Sequence, residues 1–160
     1  MRSIAVGALA LLLSGPAGAA EDPVKRGEYL SRIMDCTGCH TPGGLTGKPE
    51  ADRYLSGSEL GLAIPDLGVF YPPNLTPDDE TGLGTWSEAD IVRALRTGTR
   101  PNGRILAPVM PWVSYASLTD GDAAAIAAYL KSLPAVSHRV PPPLGPKEQP
   151  RTPYLGVVVP

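Results

Sequence analysis

The 160-residue sequence is poor in metal and thiol ligands: it has two cysteines, two histidines and three methionines, one of which is Met1. A usual tetrahedral zinc site would need a second pair of ligands that this chain does not supply. No basic run occurs, the net charge is −2, and the arginines are scattered, so nothing points to nucleic acid. No apolar run is long enough to span a bilayer, the longest being Ile4 to Leu13. What the chain has in excess is proline and glycine, 19 and 18 residues, close to a quarter of the total. Such a composition suits disorder unless something other than side chains provides a core.

Both cysteines and one histidine fall in a single pentapeptide, Cys36-Thr37-Gly38-Cys39-His40. Two cysteines three residues apart, followed at once by histidine, form the pattern to which haem is attached covalently. The thiols can reach the two vinyl groups as thioethers, and the imidazole supplies a nitrogen ligand to the iron. A flat, largely apolar ring would also serve as the missing core. Two other readings use the same residues. A Cys36–Cys39 disulfide of the thioredoxin type lacks its βαβ surroundings. A zinc site would have to recruit the distant His138, and the adjacent Cys39 and His40 do not converge readily on one tetrahedral ion.

Residues 1–20 read as an export signal, with Arg2, the apolar run Ile4 to Leu13, and small residues at Pro16-Ala17-Gly18-Ala19-Ala20. Cleavage there would leave about 140 residues, enough for one domain in a periplasm-like space.

Three segments carry helical signals. Pro23 to Asp35 starts at Asp22 or Pro23 and leads into the cysteine pair. Ser87 to Arg96 begins with Ser87 as cap and Asp90 three residues on, and ends at Gly98. Thr119 to Leu133 begins at Thr119, shows Ala125, Ile126, Tyr129, Leu130 and Leu133 as its packing stripe, and stops before Pro134. Leu60 to Ile64 and Val69 to Tyr71 suggest a short β-hairpin around Pro65-Asp66-Leu67-Gly68. Residues 72–84 read as irregular loop. Residues 21–139 form the domain, and the proline-rich stretch 140–160 reads as an extended tail, either disordered or lying along the domain or a partner.

Met110 lies about 70 residues after His40, in Pro108-Val109-Met110-Pro111-Trp112. A thioether there would complete the coordination of the iron from the far side. Met34 is two residues from Cys36, on the wrong side of the ring. His138 or an open position are the alternatives to Met110. With protein ligands on both faces, one-electron transfer follows. A haem peroxidase would instead need an open or displaceable sixth position and a distal acid or base.

The chain resembles class I cytochromes c from Gly27-Glu28-Tyr29-Leu30 through the cysteine motif and Met110-Pro111 to Tyr129-Leu130. More narrowly, Pro73-Asn74-Leu75-Thr76-Pro77-Asp78, Thr81-Gly82-Leu83-Gly84, Trp86-Ser87, Arg93-Ala94-Leu95-Arg96, Arg100-Pro101-Asn102-Gly103-Arg104 and Met110-Pro111-Trp112 look like one haem domain of the cytochrome c subunits of membrane-bound alcohol, gluconate and aldehyde dehydrogenases. Those subunits typically carry three such domains, and this chain has one motif and no C-terminal membrane-spanning helix. The resemblance implies an all-α fold of about three to four main helices around a covalently bound haem c, with the first and last helices crossing at Gly27. It implies that the loop from Tyr71 to Trp86 packs around the haem propionates, where Tyr71, Asn74, Trp86 and Arg104 either bond them or hold the loop. A carbonyl between Pro42 and Pro49 is expected to accept a bond from the His40 ring. The function implied is a periplasmic monohaem carrier of single electrons, from a dehydrogenase to a membrane oxidase or another cytochrome. A haem subunit of a dehydrogenase complex is the close alternative.

Overall fold

Each long helix forms where its capping residues and apolar stripe predict it. The computed structural model describes residues 21–158; the expected export signal lies outside them. Helix α1, Pro23–Ile33, starts with the Asp22 carboxylate accepting from the Val24 amide and with Pro23 in the first turn, where its missing N–H costs nothing. Helix α2 is the short Cys36–His40. Helix α3, Glu88–Thr97, has a reciprocal capping box between Ser87 and Asp90 and ends at Gly98, whose φ of 69° is left-handed. Helix α4 is a single turn, Trp112–Tyr115. Helix α5, Asp120–Ser132, is capped by the Thr119 hydroxyl and stops before Pro134, which forces Leu133 into an extended conformation.

The packing of α1 on α5 requires Gly27. A Cβ at this position would lie 2.0 Å from the Ala125 carbonyl oxygen and 2.7 Å from the Tyr129 Cβ. The alanines of α5 serve the same end, since Ala123, Ala125 and Ala127 are buried. The Arg26 guanidinium closes the crossing with a 2.9 Å bond to Asp122, and Arg96 of α3 pairs with Asp120. Leu30, Ile91, Leu95, Ile126 and Leu130 are buried together in the core, each contributing about 1.5–3 kcal/mol of transfer free energy.

The fold departs from all-α. The hairpin forms as strands β1, Gly61–Ile64, and β2, Gly68–Phe70, paired antiparallel with Leu62 opposite Phe70. The tail then adds a third strand, β3, Tyr154–Leu155, parallel to β1. Upstream, Leu144 exchanges two backbone bonds with Val69, at 3.0 and 2.9 Å. The regular structure is still mostly helical. Among the described residues, no helix is long and apolar enough to cross a membrane.

Residues 72–87 are irregular, as expected, and are held by a few buried polar groups. Asn74 is 1% exposed. Its amide nitrogen donates to the Thr81 hydroxyl and the Val136 carbonyl, and its Oδ1 accepts from the Thr76 amide and hydroxyl. The end of the loop is gripped from α5, where the Lys131 ammonium donates to the carbonyls of Leu83, Gly84 and Trp86 at 3.2, 2.8 and 3.1 Å.

Candidate haem-attachment site

Helix α2 places Cys36 and Cys39 one turn apart and ends on His40. The left-handed Asp35, φ 53°, caps it by accepting from the Gly38 amide. Gly38 is the residue such a cap admits, because a Cβ there would lie 2.4 Å from an Asp35 carboxylate oxygen. Both thiols are free. Burial pushes the Cys36 thiol up to about 11.

His40 is buried, and burial holds its basicity below that of a free imidazole. Its Nδ1 lies 2.8 Å from the Pro73 carbonyl oxygen. A carbonyl only accepts, so Nδ1 carries the proton and donates it. Nε2 then keeps its lone pair, and among the described residues it has no hydrogen-bond partner. This is the tautomer an iron ligand needs. The acceptor differs from the expected Pro42–Pro49 stretch. Those residues turn back on themselves, with the Lys48 amide donating to Gly43 and the Glu50 amide to Pro42, while the 72–76 loop folds over the imidazole. Gly57 secures the same spot by donating its amide to the His40 carbonyl at 2.7 Å.

Met110 packs against the same core cluster as Cys36 and Trp86. The loop carrying it is brought to the cysteine helix by α4, whose Tyr115 hydroxyl donates to the Met34 carbonyl at 3.3 Å. Burial, with the neighbouring Cys36 and Cys39, pushes the Tyr115 phenol up to about 12. His138, the other distal candidate, is held elsewhere. Its Nδ1 meets the Ser56 carbonyl at 2.8 Å and its Nε2 meets Glu59 at 2.7 Å and Arg53 at 2.6 Å. Those bonds also remove it from any zinc site with Cys36 and Cys39.

The residues expected around the haem carboxylates divide into two groups. Asn74 spends both amide hydrogens on Thr81 and Val136 and so holds the loop. Tyr71 is buried beside Gly61, and its hydroxyl accepts from Thr152 at 2.9 Å, joining sheet to tail. Trp86 and Arg104 keep free donors: Arg104 is exposed, and neither side chain bonds to a protein acceptor among the described residues. Two groups were missed. Arg100 lies with its guanidinium carbon 5.3 Å from the Trp86 ring centroid; burial and the nearby Arg104 lower its basicity, and no carboxylate pairs with it among the described residues. Trp112 has a buried indole N–H with no acceptor among the described residues. Buried cations and donors ordinarily find partners. A half-buried cation without a carboxylate and an orphaned indole donor fit a group that brings carboxylates and a flat apolar face.

Residues 24–134 match the cytochrome c family. The chain belongs to that family. Members carry covalently bound haem c, and the free cysteine pair, the neutral His40 and the orphaned donors fit that group. Over 111 residues, 69% of this chain, it is 40% identical to the cytochrome c subunit of a quinone-type alcohol dehydrogenase from Gluconobacter oxydans (strain 621H). It is 44% identical over 106 residues to the cytochrome c subunit of gluconate 2-dehydrogenase from Pantoea cypripedii. A diheme cytochrome c-type protein from Cereibacter sphaeroides is 34% identical over 148 residues, 83% of this chain and 49% of that protein. The chain spans 21% and 22% of the lengths of the first two relatives.

Proposed function

We propose that this cytochrome is a periplasmic monohaem carrier of single electrons, receiving them from a dehydrogenase and passing them to a membrane oxidase or another cytochrome. Bound haem c supplies a reversible one-electron couple. Cys36 and Cys39 would anchor it as thioethers, and His40 through Nε2 and Met110 through its thioether would ligate its iron. The observation that carries this reading is the His40 ring, buried and neutral, with its proton committed to Pro73 and its other nitrogen free of protein. Pinning of the Met110 loop through Tyr115 favours a carrier over a peroxidase, because a thioether held there would compete with any substrate for the iron. Trp86, Trp112, Arg100 and Arg104 offer donors to the haem carboxylates. The single Cys-x-x-Cys-His motif supports one haem, and residues 1–20 support export.

The kinship with cytochrome c subunits of alcohol and gluconate dehydrogenases favours a second form of the same reading, in which the chain works as the electron-accepting subunit of a dehydrogenase. A pyridine haemochrome assay should give one haem per chain. A near-infrared Fe–S(Met) band should be present and should vanish in Met110→Ala. Rapid peroxide or ligand binding by the resting protein would overturn the carrier. Cell fractionation tests the compartment, and co-purification with a dehydrogenase separates subunit from free carrier.

A further inference from the structure

Lys131 stands in the last turn of α5, where a basic side chain ordinarily serves its own helix by meeting the terminal carbonyls and the negative end of the dipole. Lys131 makes no hydrogen bond to those carbonyls among the described residues. It reaches back 45 to 48 residues and gives its ammonium to the carbonyls of Trp86, Gly84 and Leu83. Among the described residues no carboxylate pairs with it. The three carbonyls come from four successive residues at the point where the haem loop enters α3 at Ser87. That stretch is otherwise held by three backbone bonds, the Leu83 amide to Thr76 at 2.8 Å and the Gly84 amide to Asp78 and the Trp86 amide to Leu83, each at 3.1 Å. A tetrahedral ammonium can direct its three hydrogens to three convergent oxygens, whereas a planar guanidinium spreads its donors in a fork.

Leu83 and Trp86 both pack on the core. The Trp86 ring is in turn the surface under the Arg100 guanidinium, 5.3 Å from centroid to carbon. Among the described residues Arg100 has no carboxylate partner, so the indole is the group that locates it. The chain of contacts runs from α5 through the loop end and the Trp86 ring to the Arg100 guanidinium.

We propose that Lys131 is a positioning residue: by clamping three carbonyls at the junction of loop and α3, it fixes Trp86, and through Trp86 the Arg100 guanidinium, against the carboxylate edge of the haem. This rests on the haem reading above. A cation held at that edge disfavours the extra positive charge of the oxidised state, and a cation that wanders into water does so less.

The test is a potentiometric titration of the full-length holoprotein with Lys131→Arg, Lys131→Met, Arg100→Gln and the Lys131→Arg/Arg100→Gln double variant, each first assayed for covalent haem. Lys131→Arg, which keeps the charge, is expected to shift the reduction equilibrium at least threefold toward the oxidised form, about 30 mV at 59 mV per tenfold. In the Arg100→Gln background that shift should disappear, because the two sites act through one path. A Lys131→Arg protein that titrates like the parent while Lys131→Met shifts would show that only the charge is felt and would overturn the proposal. So would a Lys131→Arg shift of the same size in both backgrounds. Arg100→Gln alone must also favour oxidation, and no change there sinks the idea even if the lysine variants do not fold. Absence of covalent haem from the parent protein would instead defeat the haem reading itself.

Discussion

The Tyr115 hydroxyl donates to the Met34 carbonyl across 3.3 Å, joining the loop that carries Met110 to the residue two places before Cys36. The two halves of the proposed haem clamp are 70 residues apart in the chain, and this bond is one of the few that span them. A net hydrogen bond is worth about 1 kcal/mol. Tyr115→Phe is therefore expected to loosen the Met110 side without unfolding the domain. In the oxidised holoprotein, displacement of Met110 by added imidazole should become about fivefold more favourable, the factor that 1 kcal/mol supplies. Spectroscopic titration at the Fe–S(Met) band measures it, and an unchanged imidazole affinity would show that Tyr115 is only filling space.

At the α1–α5 crossing the constraint is steric. Gly27→Ala would place a Cβ 2.0 Å from backbone at Ala125, and backbone cannot swing aside as the end of a side chain can. The helices must separate or slide, and the neighbours Leu30, Ile126 and Leu130 lose contact with them. Overpacking of this kind costs about 3 kcal/mol. Denaturant unfolding followed by far-UV circular dichroism should show the midpoint falling, and a variant as stable as the parent would mean that the crossing adapts.

These two contacts differ in how much of them can be read from the chain. The place of Gly27 at the crossing came from the resemblance to class I cytochromes c and not from its local sequence. Ser87, Asp90 and Gly98 bounded α3 directly, since a cap acts within one turn and its signal is local. The acceptor for His40 was not readable: Pro73 lies 33 residues away, and only closure of the loop brings it under the ring. Of the two arginines in Arg100-Pro101-Asn102-Gly103-Arg104, composition cannot say which turns inward, and the structure puts Arg100 over Trp86 and leaves Arg104 exposed. The tail strand was hidden by its prolines, which suit an extended arm but do not name the strand it joins. Tyr71 was claimed by that tail through Thr152, a partner 81 residues away.

Acid should destabilise the domain through a small set of carboxylates. Asp78 is held below its ordinary value by the Thr81 hydroxyl and amide, Asp90 by the Ser87 hydroxyl and amide, and Asp122 by Arg26 and Thr119. A carboxylate with a depressed folded value gives stability that is fully present above the unfolded value of about 3.9 and is lost as pH falls through the folded one. Urea midpoints should therefore be flat between about pH 5 and pH 7 in this respect and should drop steeply below about pH 4. Asp122→Asn, which already lacks the Arg26 partner charge, should start lower and show a shallower acid limb. Equal slopes for parent and variant would exclude Asp122 from the effect.

Asn74 offers the sharpest separation between holding the loop and touching the haem. Its amide and carbonyl serve four bonds to Thr76, Thr81 and Val136 while it is 1% exposed. Asn74→Ala leaves the Val136 carbonyl and the Thr76 amide without that partner in a place water does not easily reach, at a cost of about 3 kcal/mol for the set. If the side chain acts only within the protein, the folded fraction should keep the parent reduction potential and haem absorption spectrum while its denaturation midpoint falls. A variant of nearly parental stability with a displaced potential would reverse that assignment and return Asn74 to the haem carboxylates. The same pair of measurements on Arg104→Gln should give the opposite pattern, because an exposed side chain with no protein partner adds little to folding and its charge still faces Arg100.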